Sequence, residues 1–319
     1  MQVADQIQTF GIVPVICIPD VALAAPLALA LRNGGLPLIE VTLRSDAALE
    51  SIRAIKTTYP DMLVGAGTVL SIQQVDAAID ADVDFIVSPG LNPSVVKHCQ
   101  AKNIPVFPGC ATPSEIEMAL VLGLKVLKFF PAEKMGGIEM VRQLCGPYRD
   151  VKLIATSGMT LRNLPEYLSD DHIVAVGGSF MAPPALVKER AFSAITALCK
   201  QTVQQSMGFM LKHVGINTAG AEEAEAMARQ FAEIFALPYL AGNRSDFSGT
   251  IAEFCKVKFP GAAGHIGIGT YNVARAKAYL EAKGVAFRDE FMHTDSNGTP
   301  DCLYLAQEFA GFAVHIVKR

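Results

Sequence analysis

Eight short apolar runs, each followed by a stretch with helical spacing, fill roughly the first 200 residues, and no other feature restricts the fold as much. The runs are VPVICI, LPLIEVTL, LVGAGT, FIVSPG, PVFPGC, VLKFFP, KLIATSG and IVAVGGS; SDAALESIRAIKTTYP is typical of the segments between them. Near-continuous apolar strands alternating with helices predict a parallel sheet covered on both faces. Eight such units in about 200 residues predict an α/β fold, a closed (β/α)8 barrel of the triosephosphate isomerase (TIM) type. An open doubly wound sheet is the competing arrangement, and no GxGxxG follows the first run to support it.

The texture changes near residue 205, after the polar KQTVQQSMG. Strand FMLKHVGINT, helix AEEAEAMARQFAEIFAL, then PYLAGNRSDFSGT and IAEFCKVKF are followed by a second series. That series is strand GHIGIGT, helix NVARAKAYLEAKGV, then FRDEFMHT, CLYLAQE and FAVHIVKR. Each half reads β-α-β-β-β and opens on His-X-Gly-Ile, an internal duplication of roughly fifty residues per copy. The expected organisation is therefore a barrel over 1–204 and a smaller α+β domain of two βαβββ modules over 205–319.

Bulk properties exclude several classes. The net charge is -4 and charged residues are 18% of the chain, so no basic excess points to nucleic acid or an anionic membrane. The seven cysteines show no CxxC spacing, which suits buried thiols in a reducing cytosol rather than a disulfide framework. VALAAPLALAL (21–31) is too short to span a bilayer and has Asp20 before it, so it is expected to be a barrel helix rather than a targeting segment.

Functional groups of such barrels collect at the C-terminal ends of the strands. Those ends carry Glu40, Thr42, Arg44, Thr68, Ser88, Pro89, Gly90, Gly109, Lys128, Phe129, Phe130, Pro131, Thr156, Ser157, Gly158, Gly177, Gly178 and Ser179. Lys128 stands within an apolar run, where a charged group is costly to bury. Amines in dehydrated sites can attack ketones to give a Schiff base, whose protonated imine is an electron sink for carbon–carbon cleavage. Such cleavage needs a general base, and Glu40 is a carboxylate at a suitable position. Arg44 and Thr68 could hold a substrate carboxylate, and the glycines after runs seven and eight could expose N–H groups to a phosphate. From spacing alone each group also has a plain structural reading. Lys128 could snorkel to solvent, Glu40 could pair with Arg44, and the glycines could be turn residues. Lys125, at the start of its run, is expected to face solvent.

The motifs PVI at Pro14, IEVTLRS at Ile39, VGAGTVL at Val64, FIVSPGLNP at Phe85, FPGCATPSE at Phe107, LKFFPAE at Leu127 and VGGSF at Val176 come in one order across residues 8–203. In that order the segment resembles the family of 2-keto-3-deoxy-6-phosphogluconate (KDPG) and 4-hydroxy-2-oxoglutarate (KHG) aldolases. The resemblance implies a metal-independent class I aldolase, usually trimeric. It implies Lys128 as Schiff-base lysine and Glu40 as proton shuttle. Arg44 and Thr68 would hold the pyruvyl carboxylate, and Pro89 and Phe130 would pack against the pyruvyl group. Thr156, Gly158, Gly177, Gly178 and Ser179 would face the rest of the substrate and its phosphate. The implied reaction cleaves KDPG to pyruvate and glyceraldehyde 3-phosphate, and KHG to pyruvate and glyoxylate. The galactonate isomer, KDPGal, is the nearest alternative substrate. One departure stands out: the family commonly has Thr-Gly-Gly where this chain has Thr156-Ser157-Gly158.

The duplicated half resembles the vicinal oxygen chelate superfamily, which includes glyoxalase I and bleomycin-resistance proteins. The resemblance implies metal ligands on the first and last strand of each module: His213 in KHVGI, Glu253 in IAEF, His265 in GHIGI and His315 in FAVHIV. His315 stands where much of that superfamily has Glu. Such a set suits Zn²⁺, Ni²⁺, Fe²⁺ or Mn²⁺. Histidines in apolar strands are also common core residues, so a non-catalytic metabolite-binding or assembly module, or an independent metal-dependent lyase or isomerase, are the alternatives for this half. His293, in the polar MHTDSNG, is expected in a loop, and His98 and His172 on the surface. The whole chain is expected to be a cytoplasmic homo-oligomer acting on small molecules.

Overall fold

The computed structural model describes residues 2–294 and 300–319, Asp289 by its backbone alone. The chain divides into two compact units, Met1–Ser206 and Met207–Arg319.

The first unit holds eight parallel strands: β1 (Ile12–Ile16), β2 (Leu38–Thr42), β3 (Leu63–Gly67), β4 (Phe85–Val87), β5 (Val106–Phe107), β6 (Val126–Phe129), β7 (Lys152–Thr156) and β8 (Ile173–Gly178). They pair in the order β5-β4-β3-β2-β1-β8-β7-β6. All eight expected runs form strands. β2 and β3 are buried at every position, as strands covered on both faces should be. Closure between β5 and β6 rests on a bridge between Gly109 and Lys128. There the Lys128 N–H donates to Pro108 O at 2.9 Å and the Cys110 N–H to Lys128 O at 2.8 Å. β5 is short because Pro105 and Pro108 flank it and neither has an N–H for a ladder.

Local sequence sets the helices that cover the barrel. In CATPSE, Thr112 accepts the Glu115 N–H, Glu115 accepts the Thr112 N–H, and Pro113 takes the first helical position. That reciprocal cap satisfies N–H groups at the start of the helix Pro113–Val121. Ser71 and Asn92 cap two further helices. VALAAPLALAL forms a short 3₁₀ turn and the start of the helix Ala24–Asn33, with Ala24, Leu27, Ala28, Ala30 and Leu31 buried. No helix among the described residues is long and apolar enough to cross a membrane.

The second unit is an eight-stranded sheet. Its strands are β9 (Met210–Asn217), β10 (Tyr239–Ala241), β11 (Ser245–Ser248), β12 (Ala252–Cys255), β13 (Gly264–Thr270), β14 (Phe287–Thr294), β15 (Pro300–Phe309) and β16 (Phe312–Lys318). The order is β10-β11-β12-β9-β13-β16-β15-β14. Each module is a helix plus four strands, β-α-β-β-β, and its first strand lies parallel to its last: β9 to β12, β13 to β16. β9 and β13 join the modules antiparallel at the centre. PYLAGNRSDFSGT supplies both β10 and β11, with the turn between them at 242–244. Ala224, Ala228 and Ala232, four apart, are the buried face of the helix Ala221–Ile234. Ala224 and Ala228 pack with Ala252 and Phe254 of the sheet, and small side chains let the helix lie close to it.

Candidate active site and candidate metal centre

In the barrel, Lys128 Nζ and Glu40 Oε1 are 3.2 Å apart, with 7% and 4% of their side chains exposed. The ion pair made by Glu40 is thus with Lys128, whereas Arg44 donates its Nε–H to Thr42 Oγ1 at 3.2 Å. The buried pair explains how the apolar run tolerates an ammonium: each charge has its partner, and breaking such a pair leaves an uncompensated buried charge. Sequence register puts Glu40 there. It pairs with Val15 of β1 and Gly65 of β3, and a Cβ at Gly67 would lie 2.2 Å from Glu40 Oε1. Gly67 therefore reserves the space the carboxylate occupies, a role the VGAGT motif conceals.

The remaining barrel residues gather in or beyond strand C-termini. Phe130 follows β6, and its ring centre is 5.5 Å from Lys128 Nζ. Pro89 lies against Gly109, whose Cβ would meet Pro89 O at 1.9 Å, so the residue paired with Lys128 must be glycine. Thr68 follows β3 with φ 61. Thr156 ends β7 and its buried Oγ1 has no hydrogen-bond partner among the described residues; a Cβ at Gly177 would come within 2.6 Å of that oxygen. Gly177 and Gly178 end β8, and Ser179 follows. Gly158 has φ 82, and a Cβ there would meet Glu133 Cγ at 2.5 Å. Glu133, within LKFFPAE but unassigned by sequence reasoning, is pinned by Tyr167, whose hydroxyl donates to Glu133 Oε1 at 2.5 Å. Ser157 is held at φ 87 although it carries a side chain, so the departure from Thr-Gly-Gly is strained as well as chemically distinct. Lys125 is exposed and pairs with Asp150 at 3.1 Å. His98 bonds Asp76 at 2.8 Å and His172 bonds Asp170 at 3.2 Å.

Residues 3–198 match the family described as KDPG and KHG aldolase. The chain belongs to that family. A 2-dehydro-3-deoxy-phosphogluconate aldolase of Treponema pallidum is 44% identical over 200 residues, 63% of this chain and 95% of that protein. The KHG/KDPG aldolase of Escherichia coli is 38% identical over 202 residues, again 63% and 95%. Among solved structures, the Legionella pneumophila KDPG aldolase, with pyruvate captured as a covalent carbinolamine, is 36% identical. It superposes with a TM-score of 0.62 and covers 63% of this chain and 98% of that one. The family match ends before the second unit begins.

In that second unit, the four residues His213 (β9), Glu253 (β12), His265 (β13) and His315 (β16) converge. His213 Nε2 is 3.2 Å from both His265 Nε2 and His315 Nε2. Glu253 Oε2 is 3.3 Å from His265 Nε2 and 3.4 Å from His213 Nε2. The three histidine nitrogens all lie within 4.8 Å of one another, and their 3.2 Å spacings are close to the roughly 3.4 Å between donors about 2.0–2.1 Å from a tetrahedral ion. The duplication makes the cluster. His213 pairs across the sheet with Gly267, and His265 with Gly215. A Cβ at Gly215 would meet His265 Cε1 at 2.1 Å, and one at Gly267 would meet His213 Cε1 at 2.5 Å and His315 Nε2 at 2.7 Å. In each His-X-Gly, the glycine makes room for the imidazole of the other copy.

Further groups orient two of the four, Glu253 and His315. Ser245 Oγ–H donates to Glu253 Oε1 at 2.5 Å, and Cys302 Sγ lies 3.0 Å from His315 Nδ1. The Tyr304 ring is 4.7 Å from that of His315. Burial, with the neighbouring imidazoles, pushes His315 down to about 3, and burial also lowers His213. Burial raises the Glu253 carboxyl, but hydrogen bonds from His265 and Ser245 outweigh that and leave it lowered. For His213, His315 and Glu253 these directions favour neutral imidazole and ionised carboxylate, the forms that bind a metal ion. Sequence reasoning missed Ser245, Cys302 and Tyr304 because single residues of these types carry no spacing signal. His293 lies on β14, paired with Cys302, and not in a loop.

Proposed function

We propose that the barrel is a class I aldolase that cleaves KDPG to pyruvate and glyceraldehyde 3-phosphate, and KHG to pyruvate and glyoxylate. The buried Lys128–Glu40 pair carries the reading. Transfer of a proton across the 3.2 Å contact leaves Lys128 Nζ with the lone pair that attacks the C2 carbonyl. Glu40 returns that proton to the hydroxyl of the resulting carbinolamine, which leaves as water and gives the iminium with Glu40 again a carboxylate. Glu40 then takes the proton of the C4 hydroxyl, directly or through water, and the C3–C4 bond breaks. Its electron pair passes into the iminium and the aldehyde leaves. Protonation at C3 and hydrolysis return pyruvate and Lys128. In this reading Arg44 and Thr68 bind the carboxylate, Pro89 and Phe130 pack the pyruvyl group, and Thr156, Gly158, Gly177, Gly178 and Ser179 take the phosphate end. Pyruvate release from KDPG, KDPGal and KHG by wild type and Lys128→Ala tests it. KDPG is expected to turn over fastest, with no cleavage by the variant; turnover by Lys128→Ala overturns the assignment. The same resemblance leads us to expect a cytosolic trimer, which sedimentation measures.

For the second unit we infer a vicinal oxygen chelate type centre in which His213, Glu253, His265 and His315 hold a divalent ion. The convergence of four donors within 3.2–3.4 Å of their neighbours supports it. Such an ion supplies Lewis-acid polarisation of a bound oxygen. Ser245 and Cys302 hold Glu253 and His315 in their orientations. Metal analysis of the purified chain and of His265→Ala tests this reading; equal, substoichiometric metal in both contradicts it.

A further inference from the structure

We propose that Asn163 is a positioning residue for phosphorylated substrate. Its side chain fixes the peptide after Gly158, so that the loop ending β7 offers N–H groups, and not that carbonyl oxygen, to a phosphate. This deepens the aldolase reading given above and rests on it. Asn163 lies five residues beyond Gly158, just before the short helix Leu164–Leu168. Its Nδ2–H donates to Gly158 O at 3.1 Å. Ser157 and Gly158 are successive left-handed residues, at φ 87 and 82, a turn of the kind whose N–H groups form anion-binding concavities.

Three successive carbonyls of this loop are held by the protein. Thr156 O accepts the Ala132 N–H at 2.9 Å, and Ser157 O accepts the Glu133 N–H at 3.3 Å. Gly158 O is held by Asn163. In a trans peptide the C=O and N–H point opposite ways, so each bond aims the next N–H away from the group holding the carbonyl. The first two donors are main chain and survive any side-chain substitution. The third is a side chain, and among the described residues it is the only donor to Gly158 O. Glycine populates both signs of φ, so without Asn163 the Gly158–Met159 peptide can turn its carbonyl oxygen towards the phosphate. Asn163 is itself fixed. Its Oδ1 accepts the Thr160 N–H at 2.8 Å and the Thr160 hydroxyl at 3.1 Å. Its own N–H donates to Thr160 Oγ1 at 3.3 Å. With Oδ1 taken by two donors, Nδ2 faces the carbonyl, and the loop is ordered before substrate arrives.

The test compares two substrates of the full chain, KDPG and KHG, which share the pyruvyl half but not the phosphate. A wild-type chain that releases no pyruvate from KDPG overturns the aldolase reading and this inference with it. Asn163→Ala is expected to raise KM for KDPG roughly tenfold, about the weight of one hydrogen bond to a charged group. Its kcat for KDPG and both constants for KHG should stay at the wild-type values. Inorganic phosphate should compete with KDPG, and about tenfold more weakly in the variant. Asn163→Ser keeps a turn-forming side chain but is one atom too short to close the 3.1 Å bond. It should show the same split, and it decides the matter if Asn163→Ala does not fold. Thr160→Val removes the hydroxyl but leaves the Thr160 N–H that holds Asn163, and should keep the wild-type ratio of the two KM values. Folded Asn163 variants with an unchanged ratio, equal losses on both substrates, or the same shift in Thr160→Val overturn this inference alone.

Discussion

The two units solve one problem differently. Each must hold charged or ligating groups inside a sheet, and each reserves the space with glycine. In the barrel, Gly67 clears a place for Glu40, and Lys128 comes from the strand that closes the ring. No repeat relates the two, so the pair is asymmetric, one nucleophile and one base. In the second unit a duplication does the work: His213 and His265 are equivalent, and each occupies the gap left by the other copy's glycine, Gly267 and Gly215. The lesson concerns glycine. Gly67, Gly215 and Gly267 have no left-handed backbone to explain them; they are there because a Cβ would strike a functional side chain.

If this division is right, variants should separate the two sites. Short of Lys128→Ala, Glu40→Gln has the largest expected effect on turnover, slowing cleavage about 10²–10⁴-fold while metal content stays at the wild-type value. Gly267→Ala should do the reverse. Its methyl displaces His213 and His315, metal affinity falls by at least about 10–100-fold, and cleavage is unchanged. Equal losses in both assays for either variant would mean that the sites are coupled. Gly67→Ala sharpens the barrel side: the displaced carboxylate should slow cleavage, by less than Glu40→Gln does, with imine formation from pyruvate retained. Ser157→Gly should be smallest, relieving the φ 87 backbone and stabilising the chain by about 1 kcal/mol in denaturant titration.

Much of the architecture was legible in the sequence because periodicity is local. Apolar runs spaced by helical segments specify eight strands, and the repeated His-X-Gly-Ile marks the duplication. The CATPSE cap and the β5 prolines are equally local signals. The partner of Glu40 was not: IEVTLRS offers Arg44 four residues on, and only the closed ring shows Lys128, 88 positions away, at 3.2 Å. Nor could sequence show why Gly215 and Gly267 follow their histidines, since each contact lies across the sheet. Ser245, Cys302 and Glu133 act through single hydrogen bonds, which leave no pattern to read. His293 was misplaced because polar neighbours suggested a loop where an edge strand runs.

The proposed barrel chemistry depends on Lys128 as the nucleophile. Borohydride reduction of the folded protein in the presence of pyruvate, followed by peptide mass spectrometry, tests it most directly. One reduced pyruvyl adduct, on Lys128, is expected. An adduct on any other lysine, or folded protein with Lys128 unmodified, would contradict it.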